Sequence, residues 1–319
     1  MKCCMLFLRD CSGSFSSVSM FEYFNICCNT AFGNLIHELT GDALSKEIPG
    51  LRQVNAVDAA GVHPLLLATG SERYTPYNKT KQPAEILTIA NHILGSGQLS
   101  LAKFLFITAD DAHAISTQNI PGFFHFVLQR IDLSRDVHFY TNTTIDTLDY
   151  SGTGLNRGSK VVFAAYGDVL RELCTEVPDA FTGLQHFENP QLALPGIICL
   201  QTKNFTDYAA AEKEMQQLNE QLTAFAAKES PFIIICDHAG FTAKTLNNFL
   251  WVTFTRCNPA YDIYGINSFY SHKHWGCDAV IIDARIKPHH APVLEKDAVT
   301  AKKLERLFNK GGSLYSVLK

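Results

Sequence analysis

Short, unbroken apolar runs recur along the chain at 104–108, 137–140, 161–165, 197–200, 232–236 and 280–282. Each is bounded by polar or turn residues, and most are rich in Ile, Val and Phe. Continuous rather than alternating apolar text of this length predicts strands buried on both faces of a parallel sheet. Between the runs the apolar positions change to a helical period. Over 83–94, Ile86, Ile89, Ala90, Ile93 and Leu94 share one face, with Pro83 at the first helical position. Glu85 falls in the first turn, where the helix dipole favours a carboxylate, and Gly95 and Gly97 close the segment. The longest helix is expected over 207–228, on a stripe of Met215, Leu218, Leu222 and Phe225, with Glu212, Lys213 and Glu214 on other faces. Further helices are predicted over 246–256 and 298–308. Strands alternating with helices predict an α/β fold, with a mostly parallel sheet flanked by helices. No internal repeat or low-complexity linker is visible.

Composition narrows the classes. The chain has 319 residues, 46% hydrophobic and 18% charged, with a formal net charge of -4. That is enough to build one large or two smaller cores, and it is unlike a disordered chain. The acidic balance, with no basic stripe, argues against a nucleic-acid binder. The longest early apolar run, 3–8, stops at Arg9 and Asp10, far short of the ~20 residues a transmembrane helix needs. A cytoplasmic protein is expected. Five cysteines crowd the first 28 residues and five more, Cys174, Cys199, Cys236, Cys257 and Cys277, are scattered; no CxxC spacing occurs, so reduced thiols are expected.

Generic chemical motifs fail on inspection. Gly152, Gly154 and Gly158 imitate a dinucleotide fingerprint, but the last spacing is wrong and the segment precedes a strand. Ser100 and Lys103 match an SxxK pattern without its companion motifs. His272, His274, His289 and His290 have no diagnostic ligand spacing, and a polar loop with a Pro-rich turn accounts for them. Asp110 and Asp111 read as a strand terminator, and Glu72 with Arg73 as a surface ion pair.

Four longer blocks carry more information. WVTFTRCNPAYD (251–262) resembles the segment of UbiD-family decarboxylases in which an aromatic-rich helix ends in Thr-Arg-x-x-Pro-x-x-Asp. AVIIDARIKPHHAP (279–292) resembles the family's final strand with its Asp-Ala-Arg ending. GQLSLAKFLFIT (97–108) and IDTLDYSGTGLNRGSKVVFAAYG (145–167) agree in the same order. The likeness runs from about Asn29 to the C-terminus. It implies a carboxy-lyase that removes CO2 from aromatic or α,β-unsaturated acids using prenylated FMN, with a divalent metal and a monovalent cation. Such enzymes have an N-terminal domain, a central flavin-binding domain and a C-terminal α/β domain.

The sequence departs from that pattern in one respect. The family's acidic residues lie in a Glu-Gly-Pro-Phe-Gly-(Asp/Glu) stretch that does not occur here. The expected organisation is therefore a non-family segment at 1–28, read as out-of-frame translation, the end of the flavin domain or a linker at 29–50, and the C-terminal α/β domain at 51–319. Such a chain is expected to be inactive alone, to need a flavin-binding domain from elsewhere, and to form a homo-oligomer. The alternatives are a non-catalytic remnant or oligomerisation module and, on architecture only, a nicotinamide-dependent oxidoreductase. By the resemblance, Phe269, Tyr270 and His274 are expected to line the substrate pocket, and Lys228 to contact the flavin. The segment 57–63 is expected to lead into the same cleft, and Arg256 with Asp262 to fix the helix-to-loop geometry. No catalytic or metal-binding residue is assigned within this chain.

Overall fold

The computed structural model describes residues 44–61, 64–74, 77, 80–109, 115–222, 228–291 and 297–315. The chain divides into two compact units, Gly33–His290 and a smaller one formed by Met1–Phe32 with Ala291–Lys319.

The larger unit contains two five-stranded sheets built on one plan. In the first, β1 (Leu51–Ala56), β2 (Leu65–Gly70), β3 (Phe104–Ala109), β4 (Val137–Thr143) and β5 (Gly158–Ala165) lie in the order β1-β2-β3-β5-β4. In the second, β6 (Glu188–Leu194), β7 (Ile197–Gln201), β8 (Phe232–Cys236), β9 (Ile263–Ile266) and β12 (Ala279–Asp283) lie in the order β6-β7-β8-β12-β9. A separate hairpin, β10 (Phe269–Ser271) with β11 (His274–Gly276), is inserted between β9 and β12. Each sheet has three parallel central strands and one antiparallel strand at each edge. The registers also correspond: the row Leu65, Phe104, Val161, Phe139 in one sheet matches Ile197, Phe232, Val280, Gly265 in the other. The chain thus repeats its topology without an internal repeat in its sequence. Strand order is a property of pairing, and side chains as unlike as Phe139 and Gly265 at equivalent positions leave no repeat in the sequence.

The central strands read as expected because both of their faces are covered. The outer face of the first sheet, with Leu66, Ala68, Leu105, Ile107, Val162 and Ala164, packs with Ile86, Ile89, Ala90 and Ile93 of α1 (Glu85–Gly95). The outer face of the second, with Ile198, Leu200, Ile233, Ile235 and Ile281, packs with Met215, Leu218 and Leu222 of α3 (Tyr208–Leu222). Phe225 lies outside the described residues. The two inner faces share one core with α2 (Ile120–Arg130) and α5 (Leu246–Thr255). Its centre is aromatic: Phe106 stacks on Phe163 at 4.6 Å and meets the edges of Phe124 and Phe232 at 5.1 and 6.0 Å. Offset and edge-on ring contacts of this kind add to simple burial.

Several elements depart from expectation. β4 is an antiparallel edge strand, partly exposed, because only one neighbour covers it. α2 is hidden in the sequence by Pro121 and Gly122, yet Pro is tolerated in a first turn and the Asn119 side chain accepts the Gly122 N–H at 3.2 Å. Pro83 does not open α1, which begins at Glu85. Two short helices, α4 (Ala239–Thr242) and α6 (Pro259–Asp262), flank α5. In the smaller unit, α7 (Ala298–Phe308) has the predicted bounds, its start fixed by Asp297 accepting the Val299 and Thr300 N–H groups. The five described cysteines are all buried free thiols. No helix among the described residues is long and apolar enough to cross a membrane.

Candidate functional site

The carboxyl ends of β7, β8 and β12 gather most of the buried charge. β12 runs directly into Ala284, Arg285, Ile286 and Lys287, and alternation places Asp283 and Arg285 on the same side of the chain. Arg285 folds back onto Asp283 as a two-pronged pair, with Nε to Oδ1 at 2.9 Å and Nη2 to Oδ2 at 2.6 Å. Its remaining arm, Nη1, donates to Glu214 Oε2 of α3 at 2.7 Å and to the Lys203 carbonyl at 3.0 Å. Lys203 Nζ completes the chain of charges 3.0 Å from Glu214 Oε1. Burial works against the Arg285 charge, but the hydrogen bonds and fields of Asp283 and Glu214 outweigh it and hold the guanidinium above its ordinary value.

Lys287, also buried, donates from Nζ to the Asp283 carbonyl at 2.9 Å and lies 3.2 Å from Asp262 Oδ1. Asp262 Oδ1 has no partner besides this ion pair, while Oδ2 accepts the Asn258 N–H at 2.6 Å. Burial pushes the Asp262 carboxyl up to about 6, against the opposing pull of Lys287. Asp237, after β8, accepts from Arg256 Nη1 at 3.1 Å and from the Ile286 N–H at 2.9 Å through one oxygen. The Phe205 ring lies under both cations, 5.5 Å from Arg285 and 5.3 Å from Lys287. A cleft of about 370 Å³ opens beside them, lined by Asn204, Phe205, Asp237, Ile286, Lys287 and Pro288.

Four acids (Glu214, Asp237, Asp262, Asp283) therefore face four bases (Lys203, Arg256, Arg285, Lys287). A balanced, mutually bonded set of this kind fixes geometry and leaves little unpaired charge with which to attract a charged ligand. Arg256 and Asp262, expected to fix the helix-to-loop geometry as an ion pair or cap, do not pair with each other: Arg256 reaches Asp237 after β8, while Asp262 turns inward to Lys287 and accepts the Asn258 N–H at the start of α6. Glu214 was placed off the apolar stripe by periodicity, yet it is buried, because Arg285 compensates its charge. The Asp-Ala-Arg text signals the pair within β12; nothing local marks Glu214, which is 71 residues away.

The expected site residues do not converge on one pocket. Lys228 lines a larger cleft of about 610 Å³, together with Arg171 and the carboxylates Asp132, Glu172, Glu229 and Asp278. Cys277 and Asp278, just after the hairpin, reach its wall, but Phe269, Tyr270 and His274 do not line it. Tyr270 is 80% exposed, opposite Trp275 in the hairpin, and Phe269 is also exposed. His274 turns towards His138 of β4, with ring centres 5.2 Å apart. Of the segment 57–63, Val57 is buried in the central core and residues 62 and 63 lie outside the described residues.

The Lys228 cleft does not suit a flavin phosphate. It presents four carboxylates against two cations, and its Arg171 is engaged by the carbonyls of Leu128 and Ile131, each at 2.7 Å. Among the described residues no group of three or more His, Cys, Asp or Glu is arranged to hold a metal ion. The described residues of that cleft do not fit the cofactor.

The remaining sequence features resolve as architecture. Glu72 is not in a surface ion pair; its carboxylate accepts the N–H groups of Ala84, Glu85 and Ile86 at 2.7–3.2 Å, at the start of α1. Lys103 bonds Ser151 Oγ at 2.6 Å and pairs with Asp149 at 2.7 Å. His290 Nδ1 accepts the Lys287 N–H at 3.2 Å, and burial and Lys287 push its imidazole down to about 3. Asp110 and Asp111 lie outside the described residues.

Two five-stranded, mostly parallel sheets flanked by helices, with a buried ionic cluster at the strand ends of the second, place the chain in the α/β class. Residues 30–165 match the family of the 3-octaprenyl-4-hydroxybenzoate carboxy-lyase C-terminal domain. A Chlamydia caviae protein without an assigned activity is 31% identical over 282 residues, spanning 87% of this chain and 44% of its own length. A Chlamydia pneumoniae protein, named as a subunit of 4-hydroxybenzoate decarboxylase, is 31% identical over 275 residues, spanning 85% of this chain and 43% of its own. In structure, the closed form of vanillic acid decarboxylase from Sedimentibacter hydroxybenzoicus aligns with 56% of this chain and 30% of its own, at 16% identity and a TM-score of 0.32. By these comparisons the chain is similar to the UbiD family, through that family's C-terminal domain. It spans less than half the length of the curated relatives it matches.

Proposed function

We propose that this chain is the C-terminal domain of a UbiD-type carboxy-lyase that removes CO2 from aromatic or α,β-unsaturated acids, and that it does not catalyse the reaction alone. The match of residues 30–165 to the carboxy-lyase C-terminal domain carries this reading. The Chlamydia pneumoniae relative, whose name makes it one subunit of a 4-hydroxybenzoate decarboxylase, points to a phenolic acid as substrate and to a partner chain. Prenylated FMN, its divalent metal and monovalent cation, and the proton-donating acids belong in this reading to a flavin-binding domain, and the assembly works in the cytoplasm as a homo-oligomer. Phe269, Tyr270 and His274 would stand at the substrate side of that assembly, and Lys228 at the cofactor side. The self-neutralised cluster around Arg285 favours one further reading, a purely structural or oligomerisation module, because it offers no unpaired reactive group.

The test is to produce the chain together with a flavin prenyltransferase, record its visible spectrum, and assay phenol formation from 4-hydroxybenzoate. The chain alone is expected to retain no flavin and form no phenol. Phenol should appear once the remainder of the Chlamydia pneumoniae relative, the part that this chain does not align with, is added. Flavin retention with phenol formation by the chain alone would refute the dependence on a partner. Persistent inactivity with the partner would leave the structural-module reading.

A further inference from the structure

The hairpin β10–β11 is fixed against the edge strand β4 by two ring contacts in consecutive positions. Phe139 meets Trp275 edge-on at 5.3 Å, and His138 lies beside His274 with ring centres 5.2 Å apart. The Cys277 N–H donates to the Leu133 carbonyl at 3.1 Å and anchors the base of the hairpin. In both imidazoles Nε2 is shielded from water and has no hydrogen-bond partner. A buried polar atom left in that state is costly, so two of them on adjacent rings call for a common explanation.

We propose that His138 and His274 form a two-histidine site for one divalent transition-metal ion, of the class that imidazole nitrogen suits (Zn2+, Ni2+ or Cu2+). This site is independent of the decarboxylase reading. Two imidazoles sharing one tetrahedral ion, at about 2.0–2.1 Å per metal–nitrogen bond, have ring centres roughly 5 Å apart, the spacing found here. The ligand must be the neutral ring, and neither Nε2 is held in a hydrogen bond that would have to break first. No third His, Cys, Asp or Glu joins the pair among the described residues. Because solvent does not reach either Nε2, the ion would bring its remaining ligands with it as water or a small exogenous group. Two protein ligands make the site a modest-affinity one rather than a closed structural zinc site.

The decisive experiment titrates Zn2+ alone into the metal-free full chain and follows the ring nitrogens of 15N-labelled histidine by NMR. Of the twelve imidazoles, those of His138 and His274 are expected to shift together and saturate at one equivalent. His138→Gln and His274→Gln should each weaken that binding by at least about tenfold, the lower end of what losing even an outer-shell partner does. His289→Gln should leave it unchanged. If the two resonances do not move at millimolar Zn2+, or if His138→Gln leaves the His274 titration intact, the site does not exist. The wild-type titration decides the question even if a variant fails to fold.

Discussion

Replacing Arg285 by Met tests whether the ionic cluster behaves as a buried unit. Arg285 is fully buried and the Asp283 side chain is 1% exposed, so removing the guanidinium strands the Asp283 carboxylate. Only the backbone N–H of residue 285 still donates to it, at 3.1 Å. Glu214 suffers less, because Lys203 remains 3.0 Å away. Breaking a buried pair on one side costs about 3–5 kcal/mol. At about 2 °C per kcal/mol, the lower end for large domains, Tm should fall by about 6–10 °C. Urea unfolding should show a lower midpoint at an unchanged slope. Adding Asp283→Asn to Arg285→Met removes the stranded charge, so the double variant should recover at least about 1 kcal/mol relative to the sum of the single losses. A single-variant cost below about 1 kcal/mol, in the range of exposed pairs, would show that water screens the cluster. Strictly additive losses would show that the two residues do not act as a pair. Either result would refute the reasoning.

Glu72→Ala removes the acceptor for three N–H groups at the start of α1 and should cost about 1–2 kcal/mol in urea unfolding, the upper range for a lost helix cap. An unchanged midpoint would mean that something else holds the helix start. Asp262 gives a pH signature: its folded carboxyl titrates near about 6 against an ordinary 3.8, so between those values the folded state binds the extra proton. This contribution therefore lowers stability as pH rises from about 4 to about 6, by of order 3 kcal/mol at about 1.4 kcal/mol per pH unit. Unfolding free energies across that range should show the fall in the wild type and not in Asp262→Asn, and parallel curves would contradict it.

The sequence by itself determined the elements whose two faces are both covered. The run at 232–236 became β8 with the same bounds, and 298–308 became α7, because continuous burial or a one-sided stripe is written locally in residue type. It also carried the family, since the text around WVTFTRCNPAYD and AVIIDARIKPHHAP is long enough to be specific. Elements held by a single neighbour were not legible. β1 and β6 pair at sheet edges, the hairpin β10–β11 is three residues a strand, and α2 depends on Asn119 rather than on an unbroken period. Only the tertiary structure decided how distant charges meet. Asp283 and Arg285 are neighbours in the text, but the Glu214 carboxylate and the pairings of Lys287 with Asp262 and Arg256 with Asp237 follow from where the strand ends and helices pack. The doubled sheet topology was likewise invisible, because hydrogen-bonded strand order constrains the backbone and leaves each position free to carry a different side chain. The His138–His274 pair is the extreme case: its members are far apart in sequence, and only the folding of the hairpin onto β4 brings them together.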